Sequence, residues 1–319
     1  MPRAPVADPN GTCALVVHFH FCKAAGTALR DFFSQNQRQA GGAAHLDNHW
    51  NPLEWSVPEF RQRSPTVYYE VHGVDFGATL QQIDALRMAL RIQRSVCRVV
   101  TFAVLREPSE QLVSAYHFWG NVGSVHMNSS LEYAAAIGPE WFWSNPGLYC
   151  RTPSPWVPVR PGDPCANSPP GECTDTCRER VVAGPQRFLE RLDIVVPTSA
   201  YWTVALDLAR ELGWTSFHAA GADVRRPVDA VCRWMASTAK RGPRPSAHNA
   251  SERDLELARE REAVRPYVPC SGALYHEWAR RGEAWAHSVH LRIRLHRFCN
   301  GLGDGVRALA TEALQHPRR

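Results

Sequence analysis

The residues able to do chemistry gather where apolar runs give way to small or charged residues. The first such place is "VVHFHFCKAAGTALRDFF", residues 16–33, which reads as a buried strand, a small-residue turn and a helix. The turn places Lys23 ahead of Ala24, Ala25, Gly26, Thr27 and Ala28. Of the 36 Lys and Arg residues, 34 are Arg, and Lys23 and Lys240 are the only lysines. Small residues let successive backbone N–H groups point into one concavity, and the start of the following helix adds its positive end. A compact ammonium on a flexible stem can reach over phosphate oxygens where a guanidinium fork would not fit. The turn therefore has the chemistry of an anion cradle. It is not a Walker A loop, because G-x-x-x-x-G-K-[ST] is absent and Gly26 follows the lysine by three residues. A bare K-x-x-G-T match is equally that of a plain strand-to-helix turn.

The second place is "VVTFAVLREPSEQLVSAYHFW", residues 99–119. A buried strand ends at Arg106, Pro108 opens a helix at a position where its missing N–H costs nothing, and Ser114 comes eight residues after Arg106. An arginine at a strand's carboxyl end can grip a phosphate bidentately, and Ser114 can donate to the same anion. An Arg–Glu surface pair with a packing serine is the plainer reading of this segment taken alone.

The elements around these junctions alternate. Residues 13–20, 66–73, 97–105 and 193–197 read as strands. Thr27 to about Gln37 and residues 78–95, 108–119, 199–213 and 252–264 read as helices, the last capped by Ser251. Residues 40–65 read as loop, and residues 145–177 as a Pro/Gly/Cys-rich excursion. Strands alternating with helices predict an α/β domain with a parallel sheet covered on both faces, and ligands outside the carboxyl ends of its strands. The expected organisation is a tail over 1–12, one domain over 13–290 carrying the insertion 145–177, and an extension over 291–319.

Taken together, in this order, the two junctions resemble those of the sulfotransferases that use 3′-phosphoadenosine 5′-phosphosulfate (PAPS). "HFHFCKAAGTAL" is similar to their 5′-phosphosulfate loop, and "VLREPSEQLVSAY" to their 3′-phosphate motif, including the Arg-to-Ser spacing. Weaker likeness to the membrane-bound Golgi carbohydrate enzymes, of heparan and dermatan 2-O-sulfotransferase or galactose sulfotransferase type, continues to about Ala279. Two departures are Ala25, where the family usually has Gly, and Ala28, where Ser or Thr is common. The resemblance implies a P-loop-like three-layer domain with a central parallel sheet flanked by helices. It implies PAPS as sulfuryl donor, adenosine 3′,5′-bisphosphate as product, and a carbohydrate hydroxyl as acceptor. Lys23, Ala24, Ala25, Gly26, Thr27, Ala28, Arg106 and Ser114 would hold the nucleotide, with Lys23 also meeting the bridging oxygen as it leaves.

Such a transfer needs a base for the acceptor proton. "YYEVHGVDF" offers Glu70 and His72, which strand alternation puts on one face. A histidine in a comparable segment of the 2-O-sulfotransferases favours His72, and a glutamate in other relatives keeps Glu70 open. His45 and His49 rank behind them, and His18 and His20 are expected in the core or lining the cofactor. The mechanism requires no metal, and Cys173-x3-Cys177 lacks a histidine pair at zinc-like spacing.

Ten cysteines, with Cys150, Cys165, Cys173 and Cys177 in one loop, favour disulfides in an oxidising compartment over free thiols. N-x-S/T sequons at Asn10, Asn128 and Asn249 point the same way. The start "MPRAPVADPN" lacks a signal peptide's apolar core, so the expectation is a Golgi luminal domain separated from its anchor, with a cytoplasmic protein as the alternative. From Arg225 onward there are 18 basic and 10 acidic residues, against 18 and 21 before it, which suits an anionic polysaccharide near Arg225, Arg226, Arg241 and Arg244. Nothing points to a nucleic acid. The competing readings are a nucleotide kinase, for which the Walker glycine is missing, a degenerate nucleotide-binding relative, and a small-molecule sulfotransferase.

Overall fold

The computed structural model describes residues 14–26, 29–30, 32–34, 43–47, 66–72, 76–93, 97–120, 127–137, 140, 165, 168–211, 217–219, 222–224 and 247–293. Its framework is a five-stranded parallel sheet of order β2-β3-β1-β4-β5. The strands are β1 (Ala14–Phe19), β2 (Ala43–Asp47), β3 (Thr66–Val71), β4 (Arg98–Leu105) and β5 (Ile194–Pro197). β1 lies at the centre, where a continuous apolar run belongs. Successive β1 residues feed opposite faces. Leu15, Val17 and Phe19 join one core with Leu80, Ile83, Leu86 and Leu90 of helix α1 (Phe76–Ile92) and Leu112, Val113 and Ala115 of helix α2 (Pro108–Trp119). Ala14 and Val16 join the other with Leu29, Phe32 and Phe33 of the helical residues after β1, and with Val204, Ala205 and Leu208 of a later helix. The sheet is thus covered on both faces, as the alternation of elements requires.

The order makes β1 and β4 hydrogen-bonded neighbours, with Phe19 opposite Ala103, so the two junctions singled out above do share one edge of the sheet. α2 starts with Pro108 in its first turn, and the Glu107 carboxylate caps it by accepting from the Glu110 N–H at 2.7 Å. At the opposite end of the sheet, Arg87 of α1 pairs with Asp193, whose carboxylate accepts from the Thr101 N–H at 2.7 Å and so anchors the start of β5 beside β4.

Several expectations need correction. Residues 43–47, inside the stretch read as loop, form edge strand β2, which makes the fifth strand. Ser251 does not cap a helix; it lies inside one that already begins at Ala247. The longer helices after α2, among the described residues, are α3 (Ser130–Ile137), α4 (Tyr201–Glu211), α5 (Ala247–Val264) and α6 (Ser271–Ile293). Residues 217–219 and 222–224 form a short antiparallel pair, and residues 175–189, at the end of the cysteine-rich excursion, are helical. Disulfides are present: Cys165–Cys177 closes within the excursion, whereas Cys173 crosses 97 residues to Cys270. Cys22 and Cys97 are also disulfide-bonded. Among the described residues, no helix is long and apolar enough to cross a membrane.

α6 is held at its start and at its middle. The buried Glu140 carboxylate accepts from the Cys270 N–H at 2.5 Å and the Ser271 N–H at 3.0 Å, satisfying donors that a helix start leaves bare. Burial nevertheless pushes its carboxyl up to about 7. Further along, Gly282 lies against β5. A Cβ there would stand 2.6 Å from the Val195 carbonyl oxygen and 2.7 Å from the Val196 Cα. Both are backbone atoms and cannot step aside. Gly282→Ala is therefore expected to destabilise the protein by about 1–3 kcal/mol, although alanine is the better helix former. Thermal unfolding should show a melting temperature lower by several degrees; an unchanged or higher value would mean that α6 does not press on β5 here.

Candidate anion-binding site

The site is built on the turn that leaves β1. The His20 N–H extends the ladder to the Val71 carbonyl at 3.0 Å, and the Ala24 N–H closes back on the Phe21 carbonyl at 3.2 Å. Between and beyond them, Lys23 (φ +59°) and Ala25 (φ +62°) sit in the left-handed region. For residues with a Cβ this conformation costs roughly 1–2 kcal/mol each and persists only where surrounding contacts impose it. The contacts come from the β4–α2 junction. The Gln111 side-chain amide donates to the Cys22 carbonyl at 2.5 Å, and Arg106 Nη1 donates to the Lys23 carbonyl at 3.1 Å. With those carbonyls engaged from the β4–α2 junction, the N–H groups of Lys23, Ala25 and Gly26 meet no acceptor among the described residues. Left-handed residues alternating along a turn, with bare N–H groups at the start of a helix, form a concavity that attracts anions.

Arg106 is mostly buried. Burial lowers its pKa, and Glu110 raises it through charge and a hydrogen bond. Arg106 Nε lies 3.5 Å from Glu110, whose other oxygen lies 2.7 Å from Arg261 of α5. A guanidinium has five donors, so these bonds leave others for a ligand. Ser114 is half-buried one helical turn beyond Glu110. The Lys23 ammonium extends over the Phe118 ring, 4.0 Å from its centroid, with the Trp119 ring at 5.6 Å. Burial lowers the Lys23 pKa, and Arg106 adds to the effect. Thr27 and Ala28 lie outside the described residues, as does His49; of His45 only the backbone, in β2, is described.

Behind the turn lies a compact histidine–carboxylate group. Glu70, 1% exposed, bonds His20 Nδ1 at 2.7 Å. The half-buried His72 ring stacks obliquely on His20, with centroids 4.7 Å apart. His18 is fully buried, bonded through Nδ1 to the Tyr68 hydroxyl at 2.9 Å and stacked on Phe102 at 4.5 Å. Burial holds the His18 pKa well below the ordinary 6.5, helped by His20 and His72. Glycine is required at position 26 because the His20 imidazole lies where a side chain would go: a Cβ would stand 1.8 Å from Nε2. Glu70 and His72 therefore do share a face, and both approach the turn through His20.

Sequence reasoning did not find the Glu70–His20 bond, the Gln111 and Arg261 contacts, or the aromatic pair beside Lys23. The alternation "HFH" already placed His20 on the face of His18, and Gln111 stands one turn before Ser114. The pairing across strands is what the sequence could not supply. No protein-family model matches this chain, and comparison with curated proteins finds no match.

Two outcomes follow from this geometry. The unfolded chain takes up a proton at His18 near pH 6.5 that the folded chain refuses, so stability falls as pH drops below 6.5, by about 1.4 kcal/mol per pH unit for one fully excluded proton. His18→Phe should flatten this decline in denaturant titrations between pH 7 and pH 5; an unchanged slope would mean that His18 is not the group responsible. Gly26→Ala should push His20 off Glu70 and strand a buried carboxylate, at about 3–5 kcal/mol. Adding His20→Ala to it should then cost much less than that change costs alone, since both break one contact; strict additivity would refute the shared contact.

Proposed function

We propose that this chain is a PAPS-dependent sulfotransferase that transfers a sulfuryl group to a hydroxyl of a carbohydrate acceptor. The observation that carries the reading is the turn after β1, whose N–H groups at Lys23, Ala25 and Gly26 meet no acceptor among the described residues and whose left-handed backbone is held by Arg106. The sheet is read as P-loop-like, with the anion on the loop between the central strand and its helix. Bound PAPS would supply the activated sulfuryl group and a phosphoadenosine leaving group.

The remaining work falls to the chain's own side chains. The N–H groups of the turn, which find no acceptor among the described residues, donate to the 5′ end and orient it. Arg106, with Ser114 further along α2, takes the 3′-phosphate, which fits a guanidinium that keeps donors beyond those given to Glu110 and Lys23. The Lys23 ammonium neutralises charge on the departing oxygen. His72, half-buried at the carboxyl end of β3, accepts the acceptor's proton. Glu70, buried behind His20, acts through that imidazole by orienting it; it is the alternative base only if His20 moves aside.

The disulfides Cys165–Cys177 and Cys173–Cys270 favour an oxidising, luminal setting such as the Golgi over a cytosolic small-molecule enzyme. Asn128, exposed just ahead of α3, would be open to glycosylation there. The acceptor class, an anionic glycan, rests on the basic balance from Arg225 onward.

Adenosine 3′,5′-bisphosphate at 100 times its Kd should stabilise the wild type by about 2.7 kcal/mol, raising its melting temperature. Lys23→Ala and Arg106→Ala should lose most of that rise. A folded wild type that shows no rise overturns the reading. A rise that survives in both variants moves the nucleotide elsewhere. A rise accompanied by sulfate transfer that His72→Ala does not diminish removes His72 as base, and a rise without any transfer favours the degenerate nucleotide-binding relative.

A further inference from the structure

We propose that Phe118, with Trp119 beside it, is the positioning residue for Lys23: its ring seats the ammonium at the mouth of the turn and keeps it charged there. This inference rests on the reading of that turn as an anion cradle.

Phe118 is 59% exposed and belongs to neither core of the sheet, so packing does not explain it. Among the described residues its ring meets Lys23 and Trp119. The ammonium stands 4.0 Å over its centroid, and the Phe118 and Trp119 rings meet edge to face at 5.1 Å, making a corner of two aromatic surfaces. The ring lies in the last turn of α2, the negative end of that helix, which also favours a cation. Lys23 needs such support. Among the described residues no carboxylate pairs with it, and the charge that acts on it is Arg106, which repels it, while Glu107 and Glu110 face Ser109 and Arg106. His117, next to Phe118, turns instead to Glu260 at 2.8 Å. The quadrupole of the Phe118 ring is thus the attraction that offsets desolvation and Arg106 together.

The chain's two lysines make the test direct. Limited acylation with acetic anhydride across a pH series, read by mass spectrometry, gives separate titration curves for Lys23 and Lys240 in intact protein. Phe118→Leu should lower the Lys23 midpoint by roughly half to one pH unit and leave Lys240 unmoved, whereas Phe118→Tyr, which keeps the ring, should match the wild type. A change of exposure alone would alter the rate but not the midpoint. Adenosine 3′,5′-bisphosphate should shield Lys23 in wild type and Phe118→Tyr, with several-fold more needed in Phe118→Leu. Equal Lys23 midpoints in all three proteins overturn the proposal. Midpoints that differ as expected, in a wild type that the bisphosphate does not shield, uphold the seat and overturn the nucleotide reading of the turn.

Discussion

Two hydrogen bonds from the β4–α2 junction govern the site: Gln111 of α2 to the Cys22 carbonyl and Arg106, just after β4, to the Lys23 carbonyl. Without them, nothing in the sequence "CKAAG" would keep Lys23 and Ala25 in a backbone region that a Cβ disfavours. Glycine would adopt that region freely. Here it is reserved for position 26, where the obstacle is the His20 ring rather than the dihedral angle. The turn is therefore shaped from outside, by the neighbouring strand-to-helix junction. That works because β1 and β4 are adjacent in the sheet. An arginine at the end of β4 is at once a structural clamp on the turn and a donor facing the same mouth.

The second constraint is the polar group beneath the turn. A carboxylate and three imidazoles next to a strand that is otherwise wholly apolar are costly to bury, and a buried ion pair is seldom retained for stability alone. Glu70 has one oxygen on His20 and the other without a partner among the described residues; the same holds for Nε2 of His18. Such incomplete satisfaction is what functional sites tolerate and well-packed cores avoid. The ordering is plain in the distances: Tyr68 fixes His18, Glu70 fixes His20, and His72, at the outer end, is the member left half-exposed.

Much of the fold was legible because it rests on composition. β1 and β4 are continuous apolar runs bounded by charge, α1 has clean helical spacing, and Pro108 marks the start of α2 almost to the residue. β2 was not legible: "AAHLD" contains no β-branched or aromatic residue and sits at the sheet's edge, where pairing with β3 alone specifies it. α6 was hidden by Gly282, a residue that weakens helical propensity and is there for close approach to β5. Ser251 misled because a good cap residue is also tolerated inside a helix, here one that starts at Ala247. Of the site, Lys23, Arg106, Glu70 and His72 were visible as residue types at strand ends. What joins them, the His20 bridge and the seat at Phe118, depends on strand order and on which way α2 runs, and no local pattern encodes either.

The bond from Cys173 to Cys270 has a consequence for how the protein breathes. It closes the chain from Cys173 to Cys270, a sequence separation of 97, into a covalent ring, and β5, α4 and α5 all lie on that ring. α6 begins just outside it, with its first N–H groups on Glu140 and its middle pressed against β5. The first half of α6 is thus tethered three ways, and beyond Gly282 the hold continues through Ala286, buried in the core on the second face of the sheet. The stretch from Ser271 to Ala286 then behaves as part of the sheet's rigid frame, opening only with the sheet itself.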